Sequence, residues 1–354
     1  MLSNTTLPDT LVEECEEARG AGLLHGLVVA VGGRESQDLC WAWGDAAVSP
    51  VCRPMAVDAI FDVASVTKVV ATTSACAVCI DRGLLDPDAP VAHYLPSIGQ
   101  FADHPIRVRE LATHASGYGN RKFNHFGADG ILRAAVDSPP ERLPGERFEY
   151  SCRNFLILGQ LVEQITGEDL ASFCAEHLFT PLGMRDTRFG PLDPVSDRVV
   201  PTDMPAGTIA DPQARLAPRA VGNAGLFTTA HDLATFCRMI LNGGTAQGRT
   251  ILHERSLRWL LHPCNDAGLP RHAFGWNMRP AGDCPQRPTA LTDAAIGHGG
   301  WTGQSVWIDP QLGLYVIVLT NRTHVATPVE THDDSERIRA RIADHLIALW
   351  REMR

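Results

Sequence analysis

Strand-forming runs sit at the two ends of this chain, and that distribution limits the folds open to it. Near the start, Leu27 to Val31 and Leu39 to Trp43 read as strands, with Gly32-Gly33 and a polar stretch to Asp38 as their turn. Ile60 to Val63 is a further short strand. Near the end, Gln304 to Ile308 and Leu314 to Leu319 are joined by Asp309-Pro310-Gln311-Leu312-Gly313, the chemistry of a hairpin connection. The middle is helical and loop-rich. The expected fold is therefore α+β: one antiparallel sheet built from both chain ends, flanked by terminal helices, plus a mostly helical insertion. The expected division is a discontinuous sheet domain, 1–64 with 260–354, and a helical domain, 65–259, with a cleft between them.

Helical periodicity fills in the rest. Leu11, Val12, Cys15 and Ala18 mark one face of a first helix, with Glu13, Glu14, Glu16 and Glu17 around the remainder. Phe155 to Ile165, Leu170 to Leu178 and Ala230 to Leu241 are amphipathic, and Arg107 to Ala112 is a short helix. Ser335 is placed to cap the last helix, whose Ile338, Ile342, Ile347 and Trp350 form an apolar stripe. Residues 118–144, 185–220 and 263–295 are long loops, save for a candidate strand at Phe274 to Met278.

Composition excludes several classes of function. The net charge is −10 and no dense Lys/Arg stripe is present, which argues against a nucleic-acid partner and against attraction to anionic membranes. Spanning a bilayer takes roughly 18 apolar residues, and the best run, Val69 to Ile80, is shorter. The first twenty residues lack a basic cluster and an apolar core, so the sequence reads as cytoplasmic rather than exported. The ten cysteines fall mostly in apolar segments without paired zinc spacings and read as buried free thiols. Neither a metal nor a cofactor is expected.

Chemistry enters at Ser65-Val66-Thr67-Lys68, which precedes the apolar helical run Val69 to Ile80. If Ser65 lies in the first turn, a spacing of three puts the Lys68 amine on the face of its hydroxyl. A serine hydroxyl needs a neighbouring base, and a lysine serves as one only where its surroundings keep part of it neutral. Two further elements lie far downstream. One is Phe148-Glu149-Tyr150-Ser151-Cys152-Arg153-Asn154; the other is Gly297-His298-Gly299-Gly300-Trp301-Thr302-Gly303, just before a strand.

In order and spacing these three elements resemble the penicillin-recognising serine enzymes, and most closely their class C β-lactamase-like branch of esterases, transacylases and D-amino-acid peptidases. The resemblance extends to Leu111-Ala112-Thr113-His114-Ala115-Ser116-Gly117, Pro181-Leu182-Gly183-Met184, Gly222-Asn223-Ala224-Gly225-Leu226-Phe227 and Leu319-Thr320-Asn321-Arg322. It implies Ser65 as the acyl-accepting nucleophile, Lys68 and Tyr150 as its proton-transfer partners, and the backbone N–H groups of Ser65 and Trp301 as the oxyanion hole. Which of Lys68 and Tyr150 takes the first proton stays open, because the pair titrates together. A tyrosinate beside a lysinium is expected to have its pKa lowered by the opposite charge. Cys152, His298, Gly299 and Gly300 are the implied substrate contacts, the glycines admitting a substrate backbone beside an edge strand. His114 is expected to hold a loop by hydrogen bonding, and Asn223 and Trp276 stand near the cleft without an assigned role.

Two departures from the family pattern bear on substrate. Cys152 stands where the family has Asn, and a thiol is a poor hydrogen-bonding substitute for an amide. His298 stands where the β-lactamases have Lys, so a substrate carboxylate meets less positive charge. The expected function is a serine hydrolase or acyltransferase acting on small acyl esters or amides. A D-amino-acid peptidase or β-lactamase is the first alternative; a silent binding protein on the same fold is the second. The expected partner is a small acyl substrate, with or without an acyl acceptor; oligomeric state stays open.

Overall fold

The computed structural model describes residues 7–35, 38–193, 195–324 and 331–353. Two positions of the first expected turn, 36 and 37, and the start of the N-terminal stretch, 1–6, lie outside them. The large sheet has six antiparallel strands: β1 (Gly26–Gly33), β2 (Leu39–Ala47), β3 (Arg53–Pro54), β4 (Ile296–Gly300), β5 (Gln304–Asp309) and β6 (Leu314–Thr320), in the order β3-β2-β1-β6-β5-β4. The two chain ends meet at β1 and β6, where Leu27 pairs with Thr320 and Val31 with Val316.

Both strands are buried along their whole length, and their period of two divides the core in half. Val28, Ala30, Ile317 and Leu319 face the helical body, while Leu27, Val29, Val31, Val316 and Val318 face the opposite layer. That layer is made by helices α1 (Asp9–Gly20) and α5 (His332–Glu352), through Leu11, Cys15, Ala18, Ile338, Ile342, Leu346 and Trp350. The terminal helices thus cover one face of the sheet, as the sequence implies. Ser335 does not cap α5: the helix starts earlier, and the buried Ser335 hydroxyl accepts from Arg339 Nη1 at 2.7 Å.

On the other face lies the helical body, centred on α2 (Ser74–Asp81) and α3 (Cys152–Thr166), with α4 (Ala230–Leu241) packed on β1 and β6. The expected strand at Ile60–Val63 does not join the large sheet. Its residues Phe61–Asp62 pair with Leu226–Thr228, which also pairs with Arg188–Phe189 in a small separate sheet. The segment leading into Ser65 is thereby tied to the helical body. Around Phe274–Met278 only isolated bridges form, His272 with Asn277 and Asn277 with Gly297.

Within the described residues one helical stretch, Ala64–Asp81, is long and apolar enough to span a bilayer, longer than the run read from the sequence. It is 89% buried inside the protein, as expected of a core helix. Strand β4 is an edge of the large sheet, and it faces the start of this stretch.

Candidate active site

Ser65 is delivered by a strained turn. Ala64 has φ +43°, a left-handed conformation that is costly for a residue carrying a Cβ. Asp62 holds it there: Oδ1 accepts the Ala64 N–H at 2.8 Å and Oδ2 accepts the Ala210 N–H at 2.8 Å. Ala64–Val66 forms one 3₁₀ turn, Lys68–Thr73 is wound as a π-helix, and α2 continues from Ser74. Such wide turns recur at functional positions.

Lys68 is completely buried, and its Nζ points back at Ser65. It donates to Ser65 Oγ at 2.8 Å and to the Asn223 carbonyl at 2.9 Å, with Cys152 Sγ at 3.6 Å. Tyr150 arrives on the loop before α3 and donates its hydroxyl to Ser65 Oγ at 2.9 Å. The Lys68 ammonium lies 5.2 Å from the Tyr150 ring centre. Hydroxyl, amine and phenol therefore converge, although 85 residues separate Ser65 from Tyr150.

Electrostatics set the resting protonation. Burial works against the Lys68 ammonium, but Cys152, Tyr150 and Asp211 outweigh it and hold the amine above the ordinary lysine value. Burial raises Tyr150 above the usual phenol value, with Lys68 pulling the other way. This corrects the expectation that the neighbouring ammonium lowers the phenol's pKa: desolvation of the phenolate exceeds the pull of the ammonium. At neutral pH both groups carry their protons, and Ser65 accepts a hydrogen bond from each.

The far wall is β4. His298 lies with its ring 6.1 Å from that of Tyr150, and its Nδ1 is 2.7 Å from the Gly299 carbonyl. Burial, with Lys68 adding to it, pushes the imidazole down to about 3. A neutral ring whose Nδ1–H donates to a carbonyl presents Nε2 as an acceptor.

Gly299 and Gly300 line the cleft, and the packing around them gives a second cause beside the one expected. A Cβ at Gly299 would sit 1.8 Å from Gln286 Oε1, and one at Gly300 2.5 Å from the Val63 carbonyl. The protein's own atoms fill the space. Trp301 leaves its indole half-exposed, stacked under Arg322 at 4.7 Å, and Arg322 Nη1 donates to its carbonyl.

Other sequence candidates fall into place. The Cys152 sulfur is buried against Lys68, and its backbone N–H is capped by Asn120 Oδ1 at 3.0 Å. Asn154 does not stand in for the family's Asn: it is buried behind the site, on Ser116 and His114. His114 holds the Tyr150 loop, as expected. Trp276 is core, stacked 6.3 Å from Phe236. Asn223 acts through its carbonyl, a contribution no side-chain motif announces. Asp62, Gln286 and Arg279 were missed, the last two because they lie in a long loop without periodicity.

The cleft above Ser65 holds about 290 Å³ and is lined by Phe148, Tyr150, His272, Arg279, His298 and Trp301, among others. Among the described residues one trio of metal-ligand types, Glu168, Glu176 and His177, lies within mutual reach, and none of the three lines this cleft.

The beta-lactamase family model matches residues 11–341. The chain belongs to the beta-lactamase family. Members of this family are serine hydrolases, which accords with a buried Lys and a Tyr on one serine hydroxyl. Among curated relatives, a protein named "Putative D-alanyl-D-alanine carboxypeptidase" from Escherichia coli K12 is 28% identical over 314 residues, covering 76% of this chain and 71% of the relative. The N-acetylmuramyl-L-alanine amidase of Bacillus subtilis 168 is 27% identical over 321 residues, covering 79% and 71%. Among solved structures, the fold matches EstCE1, a hydrolase with promiscuous acyltransferase activity, with a TM-score of 0.74 at 21% identity over 94% of this chain and 97% of that one. It also matches the simvastatin synthase LovD of Aspergillus terreus, with a TM-score of 0.72 at 20% identity over 98% and 100%. These likenesses establish the β-lactamase/transpeptidase fold.

Proposed function

We propose that this beta-lactamase-family hydrolase is an esterase or transacylase that works through an acyl-Ser65 intermediate on small acyl esters. One observation carries the reading: Ser65 Oγ accepts from both Lys68 Nζ and Tyr150 OH, at 2.8 and 2.9 Å. Once the pair has lost one proton, it takes the Ser65 proton as Oγ attacks the acyl carbon. The oxyanion then faces the backbone N–H groups proposed for its stabilisation, those of Ser65 and Trp301. Collapse expels the alcohol, which leaves with the proton returned from the Lys68–Tyr150 pair. Water or a second alcohol or amine attacks acyl-Ser65 by the same route and completes hydrolysis or transfer.

Preference for esters over β-lactams rests on two side chains. Cys152 turns its sulfur to Lys68, away from the role of an amide-binding Asn. His298 is neutral, so it offers a substrate carboxylate no charge. Peptidase or amidase action is the second reading, favoured by the names of the Escherichia coli and Bacillus subtilis relatives.

Turnover of p-nitrophenyl butyrate with a burst, abolished in Ser65→Ala, is the expected result. Rapid nitrocefin hydrolysis without ester turnover favours the second reading. No adduct on Ser65 by intact mass after fluorophosphonate treatment overturns both.

A further inference from the structure

The two N–H groups proposed to hold the oxyanion stand on different parts of the fold. Ser65 follows Phe61–Asp62 of the small sheet and belongs to the helical body. Trp301 lies in the turn between β4 and β5 of the large sheet. Donors of this kind act only when each lies about 2.7 to 3.1 Å from the place the oxygen takes. Contacts between the two parts must therefore fix their spacing.

Both neighbours of Trp301 reach the residues that lead into Ser65. On one side Gly300 closes on the Val63 carbonyl, which lies 2.5 Å from where a Cβ would stand. That contact limits the approach but holds nothing. On the other side Thr302 supplies a tie: its Oγ1 donates to the Asp62 carbonyl at 2.8 Å, across 240 residues of sequence. Thr302 is buried, and Gln304 Oε1 lies 2.8 Å from the same hydroxyl, so one proton serves two acceptors. Gln304 is itself held, since its Nε2 donates to the Thr320 carbonyl at 3.1 Å.

Other bonds of the turn run back to the large sheet. The Gly303 N–H donates to the Gly300 carbonyl at 3.0 Å, and the Gly303 carbonyl accepts the Thr320 N–H at 3.2 Å. Arg322 Nη1, just past β6, donates to the Trp301 carbonyl at 3.1 Å. Asp62 is thus engaged at both ends. Its carboxylate takes the Ala64 and Ala210 N–H groups and shapes the turn before Ser65, while its carbonyl takes Thr302.

We propose that Thr302 is a positioning residue for the oxyanion hole: its hydroxyl, bonded to the Asp62 carbonyl, fixes the Trp301 N–H against the Ser65 N–H. The inference rests on the acyl-Ser65 reading and adds to it a side chain that is not among those lining the cleft. Its effect falls on kcat rather than KM, because the oxyanion forms only after the ester has bound.

Thr302→Val keeps the branched shape and removes the donor. Its kcat for p-nitrophenyl butyrate is expected to fall about tenfold or more, with KM within about twofold of wild type. Thr302→Ser keeps the hydroxyl and is expected to stay within about threefold of wild type. The second readout is n-butylboronic acid, whose boron takes a bond from Ser65 Oγ as the hydroxyl proton leaves for solvent, giving a tetrahedral anion. Affinity of Thr302→Val for it is expected to fall by the same factor as kcat. The pH dependence of kcat/KM is expected to keep its wild-type midpoint, because Lys68 and Tyr150 retain their contacts with Ser65. A hydroxyl that serves stability alone would lower the unfolding midpoint and leave kcat per fluorophosphonate-labelled Ser65 unchanged, which overturns the proposal. So does a loss of kcat without a matching loss of boronate affinity, or an equal loss in Thr302→Ser and Thr302→Val. If Thr302→Val does not fold, Thr302→Cys carries the test: a thiol is a weak donor, so its kcat is expected to fall below that of Thr302→Ser, and equal values overturn the proposal. Wild-type protein that takes no fluorophosphonate on Ser65 removes the acyl-Ser65 reading and this one with it. Labelled wild type with an unaffected Thr302→Val removes the role of Thr302 alone.

Discussion

His114 brackets Tyr150 along the backbone: its carbonyl accepts the Glu149 N–H at 2.9 Å, and its Nδ1 accepts the Ser151 N–H at 3.2 Å. The two rings lie 4.6 Å apart. Asn154 and Ser116 continue the network behind the imidazole, at 3.2 and 2.6 Å. His114 itself has φ +57°, a conformation in which Asn, Asp and His are enriched over other side chains. The phenol that touches Ser65 is thus aimed by a residue that packs on its ring and clamps its backbone neighbours.

His114→Ala is expected to lower kcat for p-nitrophenyl butyrate by about a hundredfold with little change in KM, since misplacing a reacting group by an ångström has that effect. His114→Asn is expected to recover much of the loss, because an amide oxygen can accept the Ser151 N–H and Asn tolerates the backbone. Equal losses in both variants, or a loss confined to KM, would reject the positioning role.

How much of this was readable in advance follows from what carries each contact. Ser65, Lys68 and Tyr150 were legible because their side chains are chemically scarce and stand in fixed order. The sheet was legible because Leu27–Val31 and Leu314–Leu319 are continuous buried runs. Lys68's bond to the Asn223 carbonyl was not, since any residue offers a carbonyl. That His114 holds a loop was legible, but not that the loop is the one carrying Tyr150, since the clamp is built on backbone N–H groups; nor was the reason for Gly299, which depends on Gln286 in an aperiodic loop. Resting protonation of the Lys68–Tyr150 pair was misjudged because the extent of burial is a tertiary quantity.

A Gly300→Ala variant tests the approach of β4 to the turn that carries Ser65. The new Cβ would lie 2.5 Å from the Val63 carbonyl, a backbone atom that cannot step aside without shifting Ala64 and Ser65. The variant is expected to fold, judged by circular dichroism, and to lose about a hundredfold or more in kcat, the size of effect seen when an oxyanion donor is removed. Near-normal turnover would mean that the strand and the turn are not rigidly coupled.

Cys152→Asn returns the family's residue to the position facing Lys68. Its kcat/KM for an amide or β-lactam, divided by that for p-nitrophenyl butyrate, is expected to rise above the wild-type ratio. An unchanged ratio with altered absolute rates would confine residue 152 to Lys68 and remove it from substrate selection.

Activity against a neutral ester is expected to climb as pH rises through the alkaline range, because Lys68 and Tyr150 are both held above their usual values and one proton must leave before attack. His298, pushed down to about 3, adds no inflection between pH 5 and 8. Its ring carbon resonance, followed by NMR, should stay constant across that interval. A midpoint near 6.5, lost in His298→Gln, would contradict a neutral, buried imidazole.

Asp62 ties the strained turn to stability. Burial raises its carboxyl to about 6, against the lowering effect of the Ala210 and Ala64 N–H groups, with Asp211 and Asp203 adding to the rise. The native state therefore binds this proton more tightly than the unfolded chain. The resulting stability is present in full below the unfolded pKa, near 3.8, and is lost as pH climbs to about 6. The loss comes to about 3 kcal/mol for a shift of this size. Asp62→Asn cannot titrate, so the difference in unfolding free energy between wild type and variant should move by about that amount between pH 3 and pH 7, with the wild type relatively weaker at pH 7. Urea unfolding at the two pH values measures it. A difference independent of pH would mean that the two N–H donors fully offset burial, leaving the turn at Ala64 held by an ordinary carboxylate.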